Sequence, residues 1–163
     1  MGSLAARLDP ARPLALLALR VGVGVTMAWH GWQKFDGGVS NFAGFVDSVG
    51  LPAPTLLAWT VSILELVGGL MIVGGLLTRL PAFLIALQMI GTAFYVKASQ
   101  LSTGFIAAEG VGFELDVVLL VGAFAIAVLG PGAFSLDHAL GWEPSTAPAR
   151  TDAAVGRQRP APA

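Results

Sequence analysis

The 163-residue chain contains no cysteine. That absence removes disulfides, CxxC dithiols, thiolate metal sites and a cysteine nucleophile together, so any redox chemistry the chain serves must use a non-covalent group or a partner. Charge is nearly as scarce. Charged residues make up 12% of the chain, the net charge is -1, and the nine basic residues are scattered. The basic stripe of a nucleic-acid-binding protein is therefore excluded. Histidine occurs only twice, and no H-x-x-x-H or E-x-x-H spacing exists, so no metal is expected even though His30, Glu65 and Glu114 can be drawn as a set. Gly22 and Gly24 form a G-x-G pattern inside an apolar stretch with no strand before it, and a dinucleotide loop is excluded by that context.

What the chain has instead is apolar length. Hydrophobic residues make up 55% and the mean hydropathy is +0.77, well beyond an ordinary soluble domain. Four runs stand out: Leu14 to Trp32, broken by Arg20 and His30; Leu56 to Leu77; Leu80 to Val96; and Val111 to Leu129, which carries Glu114 and Asp116 and stops at Gly130-Pro131-Gly132. Each approaches the roughly 20 residues that a membrane-spanning helix needs. The expected fold is an all-α integral membrane protein, a four-transmembrane-helix bundle with spans at about 14-34, 56-77, 80-97 and 111-129. The membrane domain then covers 14-141. A cytoplasmic segment at 1-13 precedes it, and a tail at 142-163, rich in Pro, Ala, Ser and Thr without apolar periodicity, is expected to be disordered. The first run is too long for a signal peptide's apolar core and lacks an A-x-A site after it, so it reads as a retained helix.

Arg7, Arg12, Arg79, Arg150, Arg157 and Arg159 fall on one side of these spans, with Lys34 and Lys97 on the other. The positive-inside rule then places both termini in the cytoplasm, with the chain multi-pass in the membrane. Trp29, Trp32 and Trp59 sit at the outer ends of the first two spans, where interfacial aromatics belong. The outer loop between them holds a short apolar stretch, Phe42 to Val49, between glycine turns, and predicts a brief interfacial helix.

One residue is out of place. Glu65 lies in the middle of the second run, where an uncompensated charge costs about 2.5–3.5 kcal/mol on insertion scales. On straight helices Arg20 lies roughly 10 Å, Gln88 roughly 12 Å and Glu65 roughly 18 Å from the cytoplasmic end, so these three are expected to form a buried polar cluster. Because Cα–Cβ bonds tilt towards each helix's N-terminus, Arg20 aims inward and Glu65 outward, towards His30, leaving either as the partner. Gly24 and Gly31 on the first helix, and Gly68 and Gly69 beside Glu65, are read as close-packing positions, equally suited to contacts within a bundle or between protomers of a homo-oligomer. Glu65, His30, Lys34 and Glu114 are the candidate ligand or proton sites. The plainer readings are polar glue for Glu65, an interfacial hydrogen-bonded His30 and a snorkelling Lys34.

Trp29-His30-Gly31-Trp32-Gln33-Lys34-Phe35, Glu65 with Gly68-Gly69, Gly75-Leu76-Leu77-Thr78-Arg79, Gly112-Phe113-Glu114 and Gly130-Pro131-Gly132-Ala133-Phe134-Ser135-Leu136-Asp137 together resemble the DoxX family in order and spacing, over roughly Leu14 to Gly141. The resemblance implies a membrane subunit of a redox complex in sulfur and thiol metabolism or oxidative stress. Implied partners are the lipid bilayer, a sulfurtransferase and a superoxide dismutase; the implied small molecules are thiosulfate and a quinone, with no covalently bound cofactor. Catalysis by the chain alone is not expected. Two alternatives stand beside this one: a small-solute or proton carrier using Glu65, and a purely structural scaffold.

Overall fold

The computed structural model describes residues 8–107, 110 and 112–142, and among these all regular structure is helical. All of the expected tail at 142-163 but its first residue, and Arg7 at the other end, lie outside the described residues. A 3-10 turn (Asp9–Ala11) leads into α1 (Arg12–Asp36), followed by α2 (Val39–Ser48), α3 (Pro54–Gly74), α4 (Arg79–Gln100), α5 (Glu114–Leu129) and the short α6 (Leu136–Ala139). Prolines open α1 and α3, where a missing N–H leaves no bond unmade and the fixed φ suits the first turn.

Among the described residues, three helices are long and apolar enough to cross a membrane: Asp9–Asp36, Pro54–Gly74 and Arg79–Gln100, with mean hydropathies of 1.4, 2.1 and 1.4. The helix in the fourth apolar run has 16 residues, about 24 Å of rise. It starts later than the apolar run suggests because the N–H groups of Phe113 and Glu114 donate to the carbonyls of Gly104 and Phe105, at 3.4 and 3.1 Å, tying that segment to the preceding loop. α4 carries on three residues past Lys97, the expected end of the third span, to Gln100.

α1 runs along α3, α3 doubles back into α4, and α5 packs between α4 and α1. The core holds Val23 and Met27 of α1, Ile72 of α3, Ile85 and Met89 of α4, and Leu119, Ala123 and Ile126 of α5. Outward faces are equally apolar: Leu56, Leu70, Phe83, Val118 and Phe124 are all exposed, as expected of helices whose solvent is lipid. Trp29, Trp32 and Trp59 are exposed at one end of the bundle. At that end α2 lies across α3, seated by Val39, Ala43 and Val46 against Ala58, and so confirms a short helix in that loop, three residues earlier than its apolar stretch suggests.

The α1–α3 seam is made by absent side chains. A Cβ on Gly69 would lie 2.5 Å from the Ala28 nitrogen and 2.6 Å from the Gly24 carbonyl oxygen, and one on Gly31 would lie 2.7 Å from the Leu66 Cα. Gly68 faces the other way, with Pro81 and Ile85 of α4 beside it. Backbone-to-backbone approach of this kind replaces the missing hydrophobic drive between helices in lipid. Gly69→Ala is therefore expected to cost about 1–3 kcal/mol by overpacking and to lower the Tm of the detergent-purified protein by several degrees. Gly22→Ala, where nothing lies within 4 Å, is the matched control and should leave the Tm unchanged.

Candidate functional site

Glu65 is 4% exposed and sits in a wide π-helical turn, Leu64–Gly68, within α3. Such turns are uncommon and recur at functional sites, because the extra residue re-aims side chains that a regular helix would fix. Its Oε2 accepts from Lys34 Nζ of α1 and its Oε1 from Gln88 Nε2 of α4. Three helices thus converge on one carboxylate. The Lys34 and Glu65 side chains are 18% and 5% exposed, so the ion pair is largely out of solvent. Lys34 also lies 5.0 Å above the Phe42 ring of α2, a cation–π contact that holds the ammonium from the other side. The Nδ1 of His30 is 2.8 Å from the Thr26 carbonyl oxygen; since a carbonyl only accepts, Nδ1 carries the proton. His30 thus lies a turn below Lys34 without bonding Glu65.

Lys34, Glu65 and Gln88 form the polar wall of a cleft of about 410 Å³ between α2, α3 and α4. Its other walls are apolar or aromatic, chiefly Phe42, Leu57, Val61, Tyr95 and Val96. A second wide turn, Gly91–Gln100, supplies Gly91, Thr92, Tyr95 and Val96 to the same cleft. Both π-helical segments therefore border one space. An apolar pocket with a few convergent polar groups is what a small-molecule site requires, and this one combines a cationic donor, a carboxylate and an amide.

Arg20 does not join this cluster, and the expected Arg20–Glu65–Gln88 grouping is corrected to Lys34–Glu65–Gln88. Arg20, 1% exposed, donates to the carbonyls of Ile72 and Val73 at 3.0 and 2.8 Å and of Pro131 and Phe134 at 2.6 and 2.8 Å. The physical reason is direction: its side chain points back towards the α1 N-terminus, whereas Glu65 points towards the opposite end of the bundle. Gly75, at φ +71, has no Cβ in the space that the Arg20 guanidinium fills. Next to it, Asp137 of α6 accepts from the Leu77 and Thr78 N–H groups at 2.7 and 3.0 Å and from the Thr78 hydroxyl at 3.0 Å. Those bonds hold the α3–α4 turn with Leu77 at φ 46, a conformation an L-residue adopts only under constraint. This end of the bundle is a structural lock.

A second ion pair escapes the sequence reading. Lys97 of α4 meets Asp116 of α5 at 2.6 Å and also donates to the Gly112 carbonyl at 3.1 Å. The signal was available: a carboxylate inside an apolar run needs a counter-ion on a facing helix. Glu114 does not line the cleft, and its Oε2 is buried without a hydrogen-bond partner among the described residues. Among those residues no group of three or more His, Asp or Glu is placed to hold a metal.

Comparison with known proteins agrees with this architecture. The DoxX family model matches residues 15–98. "Putative oxidoreductase CatD" of Bacillus subtilis is 33% identical over 124 residues, covering 76% of this chain and 85% of its own length. "Uncharacterized membrane protein Rv3486" of Mycobacterium tuberculosis is 31% identical over 134 residues, 78% of this chain and 82% of that one. "Inner membrane protein YphA" of Escherichia coli is 34% identical over 132 residues, 78% and 91% respectively. No solved structure matches the chain. With a family model over more than half its length and full-length bacterial membrane relatives, the chain belongs to the DoxX family of membrane proteins.

Proposed function

We propose that this protein is the membrane subunit of an oxidoreductase complex and that it holds a lipid-soluble quinone in the α2–α3–α4 cleft. The observation that carries the reading is a buried ion pair, Lys34 with Glu65, forming the polar wall of an otherwise apolar cleft. An ammonium can donate to a ring carbonyl, a carboxylate can take a ring hydroxyl's proton, and aromatic walls accept the ring face. The cysteine-free chain leaves electron transfer to partner enzymes. The name of its Bacillus subtilis relative as an oxidoreductase favours that class, and the family resemblance points to a sulfurtransferase, a superoxide dismutase and thiosulfate chemistry as the setting.

The test is binding of a short-chain quinone to purified protein, followed by intrinsic tryptophan fluorescence. Glu65→Gln should weaken it about 10- to 100-fold, the equivalent of one charge-assisted hydrogen bond. A native protein that binds no quinone sinks the cleft reading. Co-purification from native membranes, with mass spectrometry of everything retained, tests the complex: enrichment of a sulfurtransferase or superoxide dismutase supports it, and a chain recovered alone counts against it.

The topology we propose has α1, α3, α4 and α5 as four spans and both termini cytoplasmic, on the strength of the Arg-rich side and the Trp29, Trp32 and Trp59 belt opposite. α5 crosses with its Asp116 neutralised by Lys97. Reporter fusions after Gln100 and Trp142 should report opposite sides of the membrane; the same side for both refutes a fourth crossing.

A further inference from the structure

A second cavity, of about 260 Å³, lies where α1 gives way to α2. It is lined by His30, Gln33, Gly37, Gly38 and Asn41 and shares only Lys34 and Phe42 with the cleft. Its character is different. Gln33, Gly37 and Asn41 are exposed, the chain turns there through Gly37-Gly38, and Trp29 and Trp32 on the same end of α1 are exposed, as indoles are where a bilayer meets water. Lys34 and Phe42 thus stand between the cleft within the bundle and a cavity at its end that several polar side chains line, and the atom Lys34 presents to Glu65 is a proton donor.

We propose that this second cavity is a water-filled port through which Glu65 exchanges its proton with one aqueous face, Lys34 being the movable partition. The groups facing Glu65 are Lys34 from α1 and Gln88 from α4, with Tyr95 further along the cleft; His30 lies on the port side of Lys34, α2 contributes Phe42 and no charge, and Asp116 is already matched by Lys97. A ligand hydroxyl in the cleft loses its proton to the Glu65 carboxylate: the ligand O–H breaks, a Glu65 O–H forms, and the ligand oxyanion takes over as counter-ion of the Lys34 ammonium. Glu65 is then neutral and no longer holds Lys34, which shifts off the carboxyl towards the ligand oxyanion and leaves the carboxyl open to the port. Water entering there removes the carboxyl proton as hydronium, the carboxylate re-forms, and Lys34 returns. No electron moves in these steps. The ligand's electrons leave separately, through the partner enzymes of the proposed complex.

The port rests on the cleft reading only for the source of the proton, and its test needs no ligand. Because the chain has no cysteine, single-cysteine variants report unambiguously. In proteoliposomes, a charged, membrane-impermeant thiol reagent should label His30→Cys from one face only, while Val61→Cys in the cleft should react only with an uncharged, lipid-soluble maleimide. Asn41→Trp, at an exposed position, should fill the port, with Gln33→Trp as a second plug should the first not fold. Either plug should abolish His30→Cys labelling and slow protonation of Glu65 at least tenfold. That rate is read by time-resolved infrared spectroscopy after photolytic proton release, on a carboxyl band identified by its loss in Glu65→Gln. His30→Cys unlabelled from both faces, or a plug that blocks labelling without slowing Glu65, overturns the proposal. Failure of quinone binding with these results intact would instead overturn the cleft reading, so the two are told apart.

Discussion

Arg20→Met is expected to yield no monodisperse protein in mild detergent. The guanidinium bridges Ile72 and Val73, at the end of α3, to Pro131 and Phe134, in the link from α5 to α6. Removing it leaves four carbonyls without this donor in a site where Arg20 is 1% exposed. The Ile72 carbonyl still accepts from the Gly75 N–H at 3.2 Å, but each of the other three, left unsatisfied, costs about 1–3 kcal/mol, and their sum rivals the lower part of the roughly 5–15 kcal/mol that holds a typical protein together. Arg20→Lys keeps the charge but not the planar fork of donors, so it should fold with a markedly lower Tm. Size-exclusion profiles and thermal unfolding of the three proteins side by side measure the effect. A methionine variant with the native Tm would mean that other donors satisfy those carbonyls.

The second large effect separates glue from function. Lys34→Met leaves the Glu65 carboxylate buried without its cation, and breaking a buried pair from one side costs about 3–5 kcal/mol. Replacing both members with apolar residues of similar volume, Lys34→Met with Glu65→Leu, is often neutral or stabilising. The double variant should therefore recover most of the lost Tm. It should not recover quinone binding. A scaffold whose pair serves only to register helices predicts that the double variant behaves as the native protein in every assay. A double variant that still binds quinone at native affinity ends the case for the site. One that is as unstable as the sum of its single variants shows instead that Gln88, bonded to the same carboxylate, requires the charge.

Much of the architecture could be read from apolar run length, since 3.6-residue periodicity matters little when helices are apolar on every side and only length and breaks remain. Glu65 could be singled out because a carboxylate in such a run violates a strong rule. Its partner could not be chosen by depth alone: the depths hold only for straight, regular helices, while α3 and α4 each carry a wide turn, Leu64–Gly68 and Gly91–Gln100, with no proline to announce it. The tilt of Cα–Cβ bonds was the better guide, sending Glu65 towards the Lys34 end and Arg20 away. Arg20's actual partners are backbone carbonyls, which any residue supplies and no sequence pattern reveals. The seat of α2 over α3, which closes the cleft, likewise depends on tertiary contacts of Val39, Ala43 and Val46 that an isolated stretch does not disclose.

The Arg20 lock also sets an order of events at the ribosome. Two of its four carbonyls belong to residues 111 and 114 positions further along the chain. At about 5–20 residues per second, some 5–20 s pass between the synthesis of Arg20 and that of Pro131. Throughout that interval the first helix carries a cation whose final acceptors do not exist. It must wait beside the insertion machinery or at the headgroups, and only arrival of the segment after α5 lets it settle. Nascent chains that stop before Phe134 would retain α1, α3, α4 and α5 and still lack the closure that lets α1 sink, which makes the link after α5 a checkpoint on whether the last helix of the bundle was made.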